Sequence, residues 1–123
     1  MPSIPNRNKI EELIGILLTG TKKRILKWDT TADENTFRLA SPTANVRVTR
    51  SEGYHPEAPG ETLITRGLSV LNDKGRVIEE YSPNPYDADA VRFDSLYSEA
   101  RRSAHNTDDV LDKLMKELQG KVS

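Results

Sequence analysis

The 123-residue chain carries 18 basic and 19 acidic side chains, a net charge of −1, and no cysteine. That length fits one domain able to bury a core without crosslinks. The charge balance excludes a global field that would steer the chain toward nucleic acid or anionic lipid, and the missing cysteine excludes disulfides, thiol nucleophiles and cysteine-based metal sites.

The first predicted element is a helix over Asn8–Thr19. Ile10, Leu13, Ile14, Leu17 and Leu18 recur at helical spacing, and Gly20 is placed to end it. The apolar run Leu13–Leu18 is too short to span a bilayer, and Glu11 and Glu12 ahead of it do not suit a signal peptide. The expectation is therefore a cytoplasmic chain without a membrane span.

The apolar period then changes from 3.6 to 2. Leu26 and Trp28 alternate within Arg24–Asp29, Phe37 and Leu39 within Thr36–Ser41, and Val46 and Val48 within Asn45–Arg50. These segments predict three antiparallel strands separated by turn chemistry. Ser51–Gly60, with Gly53, Pro56, Pro59 and Gly60, reads as an exposed loop. A fourth strand falls within Glu61–Leu71, where Arg66 shares a face with Ile64, Leu68 and Val70. Either Gly67 marks a bulge that shifts the phase, or Arg66 sits at the sheet margin. Asn72–Gly75 makes a hairpin turn into a fifth strand, Arg76–Tyr81.

After Ser82–Pro85 a second helix is predicted over Asp87–Ala104, broken by His105–Asn106. Thr107 caps a third helix with the stripe Val110, Leu111, Leu114, Met115 and Leu118, ended by Gly120. The fold class expected is α+β: an N-terminal helix, a five-stranded antiparallel meander and two C-terminal helices packed on one face of the sheet. The whole chain, 1–123, forms one domain, with residues 1–6 and 120–123 flexible.

Sites for chemistry are few. His55 lies in a Tyr-His-Pro-Glu segment and His105 between two helices, with no spacing that gathers metal ligands. Both read as ordinary loop or helix-end residues. Glu79 and Glu80 are adjacent in a strand and so point to opposite faces, one of them within reach of a base such as Arg92. No glycine-rich phosphate loop or nucleophile elbow is present, and no cofactor is implied. Lys27, Arg38 and Arg47 fall opposite the apolar set in three successive predicted strands, with Lys22, Lys23 and Arg24 at one margin. Such a band suits phosphates or an acidic protein surface, although any solvent face of a sheet is polar and no aromatic residue is interleaved. Trp28, Phe93 and Tyr97 read as core anchors.

Leu17-Leu18-Thr19-Gly20-Thr21, Leu26-Lys27-Trp28, Phe37, Val46-Arg47-Val48, Asp73-Lys74-Gly75-Arg76-Val77 and Asp109-Val110-Leu111-Asp112-Lys113-Leu114 together resemble a loose set of small uncharacterised bacterial proteins. That resemblance implies a shared fold and carries no activity or site; against it Ser51–Gly60 reads as a longer insertion.

The functional expectation is a non-enzymatic protein-binding or regulatory domain. Ile16 lies off the stripe of the first helix and Met115 at the border of the stripe in the third, a patch where a protein partner or a second copy would dock. Nucleic-acid binding through the basic face is the first alternative. A small hydrolase or metal-dependent enzyme built on His55 is the second.

Overall fold

The computed structural model describes residues 4–54, 57 and 60–122, so His55 lies outside the described residues. Helix α1 (Ile4–Lys22) is followed by strands β1 (Asp29–Thr30), β2 (Thr36–Ala40), β3 (Ala44–Tyr54), β4 (Thr62–Asn72) and β5 (Val77–Tyr81), then by helices α2 (Ala88–Ala104) and α3 (Thr107–Val122). The strands form one antiparallel sheet in chain order. The fold is α+β, in the element order the sequence predicts.

Alternation sorts the sheet into two faces. Phe37, Val48, Leu68 and Tyr81 form one cross-strand row on the inner face; Leu39, Val46, Val70 and Glu79 form the next. Helix α2 contacts β1, β2 and β3 with Phe93, Leu96 and Ala100 buried, and α1 packs on α2. Ile10, Ile14 and Leu17 of α1, spaced 4 and 3 apart, join the same cluster with Trp28. Small residues, Ala100 on α2 and Gly15 on α1, suit close helix approach; a Cβ at Gly15 would lie 2.7 Å from the Arg92 guanidinium.

The inner face also settles the position of Arg66. It lies two residues beyond Leu68, opposite Arg50 on β3, with no phase shift at Gly67. Both guanidinium groups reach Asp94 on α2, Arg66 Nε at 2.8 Å and Arg50 Nε at 3.2 Å. Arg66 therefore sits at the margin of the core. Its hydrogen bonds hold the Asp94 carboxyl below the usual carboxylate range against the opposing effect of burial.

Several boundaries differ from the sequence expectation. β3 continues through Ser51–Tyr54, which pair with Thr62–Thr65, so the segment expected as loop from Ser51 begins as paired strand. β2 pairs only as far as Thr49 and β5 only as far as Leu68, so this part of the hairpin is a two-stranded ribbon beyond the sheet. Thr62, Ile64 and Thr65 are β-branched and favour it.

The predicted strand Arg24–Asp29 shrinks to Asp29–Thr30. Its backbone donors are committed elsewhere: the N–H groups of Ile25 and Leu26 both reach the Gly20 carbonyl, and that of Trp28 donates to Ser103 Oγ at 2.9 Å. A ladder needs those groups free. At the chain ends, α1 begins at Ile4 rather than Asn8, and α3 continues past the expected stop at Gly120 to Val122.

Candidate docking site at the helix junction

Helix α1 runs past Gly20 and ends on a Schellman motif. Arg24 N–H donates to Thr21 O at 3.0 Å and Ile25 N–H to Gly20 O at 3.0 Å. The motif needs a left-handed residue after the cap, normally glycine, and here Arg24 fills it with φ 62°. Gly20 serves instead for packing: a Cβ there would lie 2.6 Å from Leu26 Cδ1. The end of α2 is built alike, with Asn106 left-handed at φ 50° and its N–H donating to Ser103 O. Asparagine tolerates that conformation well, so the His105–Asn106 break was readable in the sequence. Arg24 was not.

Both left-handed residues line one cleft of about 220 Å³, with Thr21, Lys22, Leu26 and Lys27 on one side and Glu99, Arg102, Ser103, Asp108 and Asp109 on the other. Its floor is a buried polar relay. Trp28 Nε1–H donates to Thr21 Oγ1 at 2.9 Å, and the Thr21 hydroxyl donates to Leu17 O at 2.6 Å. Thr21 thus occupies the next inward position after Leu17, with its hydroxyl both donating and accepting.

At the mouth, Asp108 in the first turn of α3 accepts from Arg24 Nη2 at 2.8 Å and from Arg102 Nη2. The Arg102 hydrogen bond, with Arg24 behind it, holds the Asp108 carboxyl below the usual carboxylate range. This clamp ties the start of α3 to the ends of both other helices. The sequence reading placed Arg24 only at the margin of the basic band and gave none of the three this contact, because the partners lie 84 and 6 residues apart.

Beyond the clamp α3 contacts α2 but buries nothing among the described residues. Val110, Leu111, Leu114, Met115 and Leu118 are between 43% and 57% exposed, and Val122 is 85% exposed. Its other face holds acid-before-lysine pairs four residues apart, Asp109 with Lys113, Asp112 with Lys116 and Glu117 with Lys121, an order that supports a helix. Ile16 on α1 is 59% exposed, so both residues of the expected partner patch, Ile16 and Met115, face outward, on separate helices that each pack on α2.

The expected basic band is divided. Arg38 and Arg47 are direct cross-strand neighbours on the outer face, and their row reads Asp29, Arg38, Arg47, Ser69, Glu80. An acid stands at each end of it. Lys27 precedes β1 and lines the helix-junction cleft with Lys22, while Lys23 is exposed beside it. Register confirms that Glu79 and Glu80 point to opposite faces, Glu79 opposite Val70 and Glu80 opposite Ser69.

His105 borders a second hollow of about 560 Å³ with Asp33, Glu34, Tyr97 and Arg101. Its ring packs edge-on against Phe37 at 5.6 Å, and Tyr97, whose phenol is pushed up by burial, donates to Asn35 O at 3.0 Å. Among the described residues, no three histidine, aspartate or glutamate side chains gather to hold a metal, and no helix is long and apolar enough to cross a membrane.

No protein family, curated protein or solved structure matches the chain, so the resemblance carried by its core and turn residues gains no relative from them.

Proposed function

We propose that the protein is a non-enzymatic, cytoplasmic protein-binding module whose docking element is α3. The observation that carries this reading is a well-formed amphipathic helix with an apolar stripe, Val110 to Val122, of which no residue is buried, held at its start by Asp108. Six large apolar side chains left in water on one helix face are the signature of a surface that is covered in use. A helix laid against that stripe is the simplest occupant, since i, i+4 and i+8 anchors are read by a groove or by another helix. The lack of cysteine fits a reducing compartment.

The test is a photo-crosslinking residue placed at Leu118 in the living cell, with the same residue at Arg47 as the control surface. An adduct from Leu118 that Arg47 does not give is expected. No adduct at Leu118, or equal adducts at both positions, would overturn the reading.

A further inference from the structure

The hollow of about 560 Å³ beside His105 falls in the size range of small-molecule sites, and it uses no residue of α3. One wall is a ladder with a spacing of four residues, Tyr97 and Arg101 on α2 and His105 at its C-cap. The aromatic members are fixed in place. Phe37, buried in the core, lies 5.4 Å from Tyr97 and 5.6 Å from His105 between ring centroids, and Tyr97 stacks on Phe93 at 6.4 Å. The other wall is the turn between β1 and β2, whose shape its own side chains set. Asp33 accepts from the Asn35 N–H at 2.8 Å and from Thr36 Oγ1 at 3.1 Å, and the Asn35 carbonyl accepts from Tyr97. Two walls held in place before anything binds lose little freedom when the hollow is filled.

Two charges in the hollow are uncommitted. Arg101 and Glu34 are both exposed and make no ion pair, whereas the Asp33 carboxylate is engaged within the turn. A plain anion drawn to Arg101 would meet Glu34 and Asp33, and a plain cation drawn to Glu34 would meet Arg101. A ligand carrying both signs satisfies both walls. The half-buried Tyr97 ring and the exposed His105 ring add a second requirement, because an aromatic edge or face pairs well with another ring. We propose that this hollow binds a small aromatic zwitterion, the chemistry of an aromatic α-amino acid, with its carboxylate on Arg101, its ammonium on Glu34 and its ring against Tyr97 and His105. Both charged side chains are long and exposed, so each can turn onto its half of the ligand.

Titrating the isotope-labelled chain with L-phenylalanine to about 10 mM should move the His105 and Tyr97 ring signals saturably in the NMR spectrum. Phenylacetate lacks the ammonium, phenethylamine the carboxylate and L-alanine the ring. Each should bind about threefold to tenfold more weakly than L-phenylalanine. Arg101→Gln should weaken L-phenylalanine by a similar factor without weakening phenethylamine, which never used that guanidinium. Glu34→Gln should weaken L-phenylalanine without weakening phenylacetate. Both positions are exposed, so Trp28 fluorescence should report an unchanged fold in the two variants. No saturable shift at His105 and Tyr97 would overturn the site. So would probes missing a charge or the ring that bind as tightly as L-phenylalanine, or variants that bind it as the parent does.

Discussion

Ile10, Ile14 and Leu17 on α1 are between 3% and 6% exposed, whereas Leu111, Leu114 and Leu118 on α3 are between 43% and 50% exposed. Both stripes are aliphatic and at helical spacing, and both helices begin or end at a left-handed residue tied to the junction. What separates them is the partner surface. α1 meets α2, which offers small residues and lies against the sheet; α3 also contacts α2 but places no residue in the core cluster. An amphipathic pattern thus says that a face is to be covered and leaves open what covers it.

The sharpest way to break that contrast is to truncate one side chain in each region. Phe93, fully buried under α1 and over the sheet, should cost roughly 3–5 kcal/mol as Phe93→Ala. Leu118→Ala, at a half-exposed site, should change the stability of the dilute single chain by about 0.5 kcal/mol or less. Urea unfolding followed by Trp28 fluorescence measures both. A large loss at Leu118 in dilute solution would mean that α3 is covered within one chain.

Much of the covered region was legible in the sequence and little of the junction was. Period alone located α1, α2 and the β2–β5 strands, since each buries one face and the apolar residues mark it. It misread Ile25–Trp28, where Leu26 and Trp28 do face inward but against helices: their backbone donors close the end of α1 and bind Ser103. Alternation reports which side is buried, and the hydrogen-bond partners decide whether the segment is a strand. Arg66 was legible as an exception and not as a pair, because Asp94 lies 28 residues away on a helix. The stripe of α3 from Val110 to Leu118 was read from its spacing, but its exposure depends on the absence of a covering neighbour, which no local pattern encodes.

The Asp94 cluster fastens α2 to the margin of the sheet, and it belongs to the covered region. Asp94→Asn should cost about 1–2 kcal/mol, the range for charged hydrogen bonds reduced for a side chain one-third exposed. Because the folded carboxyl titrates below its unfolded value, this stability is present above the ordinary carboxylate range and is lost as pH falls through the lowered folded value. Denaturant midpoints between pH 3 and 6 should therefore fall with acid in the parent more than in Asp94→Asn. Parallel curves for the two would show that the arginines do not stabilise the charged form.

A smaller effect than that at Asp94 tests the hinge between the two regions. Arg24 does two things that pull in opposite directions: its backbone is left-handed, where a side chain costs about 1–2 kcal/mol relative to glycine, and its guanidinium holds Asp108. Arg24→Gly relieves the first and loses the second; Arg24→Ala loses the second alone. The glycine variant should then be more stable than the alanine variant by about 1 kcal/mol, while both free the start of α3 equally. Hydrogen exchange across Thr107–Leu111 should quicken to the same degree in the two, with Arg102 left as the remaining partner of Asp108. Equal stability of the two variants would mean that the end of α1 does not hold Arg24 left-handed in solution, and unchanged exchange would mean that Arg102 alone sets the direction of α3.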